Sequence, residues 1–110
     1  MRRELVLGTL VSVGALSLVV SGQAPAGPSA KAMAAAKIEK VKDNLFVLRG
    51  GGGNTAVFVT AKGVTLVDTK NPGWGQPLLD KVKTLTDKPV TTVINTHLHY
   101  DHVSGNVAMP

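Results

Sequence analysis

Residues 96–106 read Thr-His-Leu-His-Tyr-Asp-His-Val-Ser-Gly-Asn and contain all three histidines of the 110-residue chain. Imidazole nitrogen and carboxylate oxygen are the ligands that suit zinc and similar divalent ions. In an extended segment His97, His99 and Asp101 would point to one side, because side chains alternate with a period of two. His102 would point elsewhere, so the chain has to turn if His102 is to join them. The spacing therefore predicts a metal-binding segment that bends into a loop.

Two other interpretations of this stretch stay open from the residues alone. One is a surface turn that contains histidines by coincidence. The other is a helix, in which His97 and Asp101 would be neighbours on one face. The preceding residues 90–95 are rich in β-branched side chains, which is typical of a strand and favours a strand followed by a loop.

The upstream residues predict a β-meander that starts with an edge strand. Short apolar or alternating runs are separated by turn signals such as Asp43-Asn44. These runs comprise residues 38–41, 45–49, 54–60 and 64–67. The four consecutive glycines at 50–53 do not indicate a phosphate-binding loop, because no Lys-Ser/Thr pair follows and the next element is a strand. We expect a flexible hairpin turn there.

A helix is predicted between the last strand of the meander and the strand at 90–95. Trp74 lies in a tight loop before it, where the indole either covers the core or walls a pocket. Pro77 fits the first turn of a helix, and the helix should end near Asp87, before Pro89. The apolar face of this helix consists of Leu78, Leu79, Val82 and Leu85. A strand–helix–strand connection of this kind packs the helix on the sheet.

Residues 95–106, the metal loop, resemble the signature loop of the metallo-β-lactamase superfamily. The family motif is H-x-H-x-D-H followed by a glycine-containing turn, and this sequence matches every fixed position. The resemblance covers about residues 38–110. It implies an α/β fold, the amino-terminal half of an αββα sandwich, in which a β-meander precedes a strand–helix–strand unit. The chain departs from the family at Lys70, where a glycine is common.

The resemblance also implies roles for individual residues. His97 and His99 match the ligands of a first metal ion, and Asp101 and His102 match those of a second. The expected ions are zinc, two in a complete enzyme, with iron or manganese still open. Asp101 is also the implied catalytic residue, because it would orient the attacking water. Asp68 matches an aspartate that supports the metal loop without binding metal; a turn aspartate bonded to its own backbone is the alternative.

The activity that the resemblance implies is hydrolysis of a small-molecule ester, lactone or amide. In such enzymes the metal lowers the pKa of water and polarises the scissile group. The third ligand of each metal site is missing from the sequence, so we expect the amino-terminal part of a truncated enzyme that is a poor hydrolase by itself. The alternative is a non-catalytic metal-binding remnant, or a fragment that requires a complementing partner.

Residues 1–30 have the layout of a secretory signal peptide and a small-residue linker. Paired arginines at 2–3 precede an apolar run at 5–20, and residues 21–30 are rich in small residues and proline. The run is short for a membrane span of roughly 20 residues, which favours cleavage over an uncleaved anchor. We therefore expect a secreted or periplasmic protein with no stable membrane anchor, exported by the general or the twin-arginine route. The domain itself is expected at 31–110.

Composition bears on partners and on the other kinds of site. The chain has no cysteine, so it forms no disulfide and no thiolate zinc site. Residues 31–110 carry ten Lys/Arg and six Asp/Glu, and this net charge of +4 is not clustered, which argues against a nucleic-acid partner. Residues 31–37 are expected to be a tether, because they are too few to hold a helix alone.

One sheet face is expected to lack cover and to promote self-association. We assign to it Val57, Val59, Leu66 and Val93.

Overall fold

The computed structural model describes residues 22–23 and 26–110. The paired arginines and the apolar run of the predicted signal peptide lie outside the described residues. Within the described part, no helix combines the length and the apolar character that a membrane crossing requires. The elements are α1 (Ala30–Ala35), β1 (Lys37–Lys42), β2 (Leu45–Arg49), β3 (Thr55–Val59), β4 (Val64–Val67), α2 (Gly75–Lys83), β5 (Val90–Ile94), α3 (Tyr100–Val103) and a 3-10 helix (Ser104–Ala108).

The first four strands form the predicted β-meander. Their order in the sheet follows the sequence, each pair is antiparallel, and β1 is an edge strand whose six residues are all exposed. The β3–β4 hairpin closes tightly, because both the backbone N–H and the hydroxyl of Thr60 donate to the carbonyl of Gly63 at 2.8 Å. Lysines along the exposed edge oppose pairing with a further strand.

The fifth strand lies parallel to β4 after the chain has crossed over through α2. Leu66 pairs with Val93, and Val67 pairs with Ile94. Because parallel strands have their carboxyl ends at the same edge of a sheet, Asp68 and the metal loop emerge side by side. The crossover is therefore what brings together two stretches that are far apart in the sequence.

The core lies between one face of the sheet and α2. Its fully or almost fully buried members are Leu48, Val57, Val64, Leu66, Leu78 and Val82. The prediction that Val57, Val59, Leu66 and Val93 occupy an uncovered face is wrong. Val57 and Leu66 are 0% exposed, and Val59 and Val93 pack against the same cluster. The alternation of side chains instead leaves Phe58 and Ile94 on the opposite face, 41% and 51% exposed.

Two local predictions also differ from the structure. Helix α2 ends at Lys83 and not near Asp87, because the chain tightens there. The Thr84 hydroxyl donates to the Lys81 carbonyl at 2.7 Å, which gives the backbone a competing partner.

The second difference is that the expected tether contains α1. The Ser29 hydroxyl caps this helix by accepting from the N–H of Ala32 at 3.2 Å. Ala36, at its end, is buried, and its carbonyl accepts from the Lys81 ammonium at 3.2 Å. The segment is thus attached to α2 and is more ordered than a tether.

Candidate metal centre

Asp68 joins the carboxyl end of β4 to both ends of the metal-binding segment. Its carboxylate accepts from the Thr96 N–H at 2.8 Å and from the Thr96 hydroxyl at 2.7 Å. The other contact is with His102, whose Nδ1 lies 2.7 Å from Oδ2. Asp68 is 4% exposed and adopts a positive φ of 66°. The aspartate therefore bonds to the metal loop and not to its own backbone.

The electrostatics of Asp68 result from two opposing effects. Burial alone would raise the pKa of the carboxyl, because an apolar environment disfavours the charged form. The hydrogen bonds from the Thr96 backbone, from His102 and from the Thr96 hydroxyl outweigh burial and hold the pKa of Asp68 below its ordinary value. The group is therefore a carboxylate at neutral pH, and it accepts a hydrogen bond from Nδ1–H of His102.

The structure brings the four predicted metal ligands into contact in pairs. His97 Nε2 lies 3.1 Å from His99 Nδ1, and His102 Nε2 lies 3.4 Å from Asp101 Oδ2. The rings of His97 and His102 also touch, with centroids 4.0 Å apart. The segment is extended at His99 and becomes helical at Tyr100, so Asp101 lies in α3 and not in the extended part. That change of backbone provides the turn that His102 requires.

The donor set is chemically suited to zinc. Nδ1 of His102 faces Asp68, and Nδ1 of His97 lies 2.8 Å from the Thr96 hydroxyl, so in both rings Nε2 is the nitrogen that faces the other proposed ligands. A carboxylate on the far nitrogen is the usual partner of a metal-binding histidine. Within residues 22–23 and 26–110, however, no set of three or more His, Cys, Asp or Glu side chains is arranged to hold an ion. The chemistry of these donors fits a metal ion, but each proposed ion has only two of them.

A network that the sequence did not reveal fixes the far end of the metal loop. Thr69 donates its N–H to the His102 carbonyl at 2.7 Å and its hydroxyl to Asn106 Oδ1 at 2.6 Å. Asn106 donates its amide to Asn95 Oδ1 at 2.7 Å. A Cβ on Gly105 would overlap the Thr69 carbonyl, so only glycine allows this approach. The sequence alone does not predict these roles for Gly105 and Asn106, because the partner of each lies far away in the sequence.

The glycine loop, residues 50–53, packs against the site and is not simply a hairpin turn. Gly53 donates its N–H to the Asp101 carbonyl at 3.0 Å, and a Cβ there would lie 2.5 Å from the His102 ring. At Gly51 a Cβ would lie 2.5 Å from the indole of Trp74, which is itself buried. Trp74 therefore covers the interior beneath the loop. The glycines allow two rings to approach the backbone closely.

Comparison with known proteins identifies the family. Residues 48–110 match the sequence model described as the metallo-beta-lactamase superfamily. The chain belongs to this superfamily. The predicted fold, the amino-terminal part of a metallo-β-lactamase domain, is confirmed by the five-stranded sheet and by the solved structures that resemble it.

Three solved structures define that resemblance. A β-lactamase from Chitinophaga pinensis is 26% identical with a TM-score of 0.61, and the match covers 74% of this chain and 32% of that one. The stereoselective inverting sec-alkylsulfatase Pisa1 from Pseudomonas sp. is 25% identical with a TM-score of 0.61, covering 68% and 12%. The DIM-1 metallo-β-lactamase shares the fold at 23% identity and a TM-score of 0.51, covering 64% and 35%. The chain thus spans about a third or less of the proteins it matches.

Proposed function

We propose that this chain carries the first part of a metal-dependent hydrolase site in which His97, His99, Asp101 and His102 bind zinc. The observation that carries the proposal is the contact between Asp68 and His102 Nδ1 at 2.7 Å. It holds the imidazole in the tautomer that presents Nε2 for coordination. A buried carboxylate that spans two loop residues has no comparable use in a simple surface turn.

The proposed roles divide between two ions. His97 and His99 would hold the first, and Asp101 and His102 the second. Zinc bound there supplies Lewis-acid chemistry and lowers the pKa of water. Asp101 would accept a hydrogen bond from the attacking water and orient it, and Asp68 would keep His102 in place. Two donors per ion are too few for a zinc site, so the proposal requires further ligands in addition to these four.

The proposed substrates are small-molecule esters, lactones or amides. Membership of the superfamily supports hydrolysis, and matched structures named as a β-lactamase and a sec-alkylsulfatase support small substrates. Iron or manganese would also suit these ligands. A secreted or periplasmic location belongs to the proposal through the composition of residues 1–30.

Metal binding without turnover is the second candidate function. The observation that favours it is that the donors contact one another in two pairs, His97 with His99 and His102 with Asp101. Two pairs of donors give weak binding and leave an attacking water poorly placed. On this view the chain binds metal and acts only when a partner completes the site.

Isothermal titration calorimetry with zinc tests the metal assignment. The full chain should bind zinc, and the double variant His97→Ala/His99→Ala should lose most of the affinity. Asp101→Asn should weaken binding, whereas Asp87→Asn, an exposed aspartate beyond α2, should not. Equal uptake by the wild type and the double variant would refute the assignment.

Turnover then separates the two candidates. The zinc-loaded chain is assayed with a β-lactam, a lactone and a sulfate ester against the same concentration of zinc alone. Hydrolysis that exceeds the zinc control and is lost in Asp101→Asn supports the hydrolase. Zinc binding without turnover supports the non-catalytic candidate.

A further inference from the structure

Lys70 is a buried cation whose ammonium is held only by backbone carbonyls. The residue is 1% exposed, and Nζ donates to the carbonyls of Leu48, Gly50 and Gly53 at 2.9, 2.7 and 3.0 Å. An ammonium has three N–H donors, so all of them are satisfied. Among the ion pairs of the described residues, none includes Lys70. Its charge is therefore compensated by carbonyl dipoles, two of them from the glycine loop.

The backbone has positive φ angles on both sides of this contact, in the glycine loop and at Lys70 itself. Gly50, Gly51 and Gly52 have φ values of 87°, 77° and 102°, which glycine tolerates and which fold the loop around the ammonium. Lys70 itself has a φ of 74°, an unfavourable value for a residue that carries a Cβ. The contacts of the side chain compensate for this strain.

The same loop residue that Lys70 holds also touches two of the proposed ligands. Gly53 accepts from Lys70 through its carbonyl and donates to the Asp101 carbonyl through its N–H at 3.0 Å. Its α-carbon faces the His102 ring so closely that a Cβ would lie 2.5 Å from Cε1. The loop thus forms a wall against Asp101 and His102, and the ammonium fixes the position of that wall.

We propose that Lys70 is a positioning residue for the metal site, which gathers the glycine-loop carbonyls and so presses Gly53 against Asp101 and His102. The inference rests on the proposed function, because it concerns the same ligands. Lys70 does not contact the ion or the substrate. It determines how well two ligands are oriented before metal arrives.

The test compares Lys70→Met with Lys88→Met in the full chain. Methionine keeps most of the hydrocarbon stem and removes the ammonium. Lys88 is the matched control, because it also donates to one backbone carbonyl, that of Thr60 at 2.7 Å, next to the β3–β4 hairpin. Three quantities are measured: zinc affinity against a chromophoric chelator, the visible absorption band of bound Co²⁺, and the thermal midpoint without metal.

We expect Lys70→Met to weaken zinc binding by roughly 10-fold, as for other residues that orient metal ligands. The Co²⁺ band should also shift, because the orientation of Asp101 and His102 changes. Lys88→Met should leave both unchanged. A lower thermal midpoint for Lys70→Met with unaltered affinity and spectrum would overturn the inference, because a merely structural lysine gives that result.

A second variant allows the test to be made if Lys70→Met does not fold. Lys70→Gly removes the ammonium and also removes the strain of the positive φ. It should therefore fold even if Lys70→Met does not. If neither folds, Lys70 is a structural residue and the inference is wrong. If His97→Ala/His99→Ala binds zinc like the wild type, the proposed function fails; if only the Lys70 variants bind like the wild type, the inference about Lys70 fails alone.

Discussion

At the scale of single residues, the site depends on polar groups whose partners are remote in the sequence. Asp68 is the clearest case, because one buried carboxylate satisfies Thr96 and His102, which lie 28 and 34 residues away. The carboxylate can only accept hydrogen bonds, which forces the proton of His102 onto Nδ1. The charge of Asp68 thus decides which nitrogen of His102 is available.

Asp68→Asn should therefore weaken zinc binding through the tautomer of His102. The asparagine amide would donate to Nδ1 and move the ring proton to Nε2, the nitrogen proposed for the metal. We expect affinity to fall roughly 10–100-fold, less than in His99→Ala, and the free energy of unfolding to fall by about 2 kcal/mol. Zinc titration and nitrogen NMR of the imidazole measure the two effects. Asp80→Asn, an exposed aspartate in α2, is the control, and an unchanged tautomer would contradict the argument.

Lys70 should make stability depend on pH in alkaline solution. Burial lowers its pKa from 10.5 to about 8, so between these values the unfolded chain binds more protons than the folded chain. The free energy of unfolding contributed by this group therefore rises with pH from about 8 and levels off near 10.5. Urea unfolding across this range should show the rise in the wild type and in Lys88→Met. The same rise in Lys70→Met would show that another group is responsible.

At the scale of elements, hydrophobic patterning and turn residues predicted every strand and the crossover helix. Runs of β-branched residues and clear turn signals such as Asp43-Asn44 suffice for that. The end of α2 was missed, because the Thr84 hydroxyl competes for a helical carbonyl. The prediction that Val57 lies on an uncovered face was also wrong. Alternation shows which residues share a face of the sheet, but it does not show which face a helix covers. The contact between Lys70 and the glycine loop joins two segments that are separate in the sequence, and no pattern in either segment alone predicts it.

At the scale of the whole molecule, one face of the sheet packs against α2, and within the part of the chain that the structure describes the other face is left uncovered. Phe58 and Ile94 are 41% and 51% exposed on the uncovered face. Apolar patches on a sheet favour association between copies. The sequence predicted the strands and their alternation but not which of the two faces the helix covers, and the assignment of His97, His99, Asp101 and His102 to metal stays a prediction.

Self-association should accordingly decrease when the uncovered face is made polar. Phe58→Thr/Ile94→Thr keeps residues that suit a strand and removes apolar surface. Analytical ultracentrifugation should show a lower sedimentation coefficient than for the wild type at the same concentration. Val107→Thr is the control, since Val107 is 91% exposed in the 3-10 helix and outside the sheet. Equal association of all three chains would place the contact elsewhere.

The contiguity of His97, His99, Asp101 and His102 has a consequence for how metal and folding are linked. If zinc binds as proposed, an unfolded chain would still present these four donors within six residues and would keep part of the affinity. A ligand that binds the unfolded state stabilises the folded state only by the ratio of the two affinities. Folding would add the orientation imposed by Asp68 and the glycine loop. Zinc would therefore be captured before the sheet forms, and it would stabilise the folded domain only by the affinity that this orientation adds.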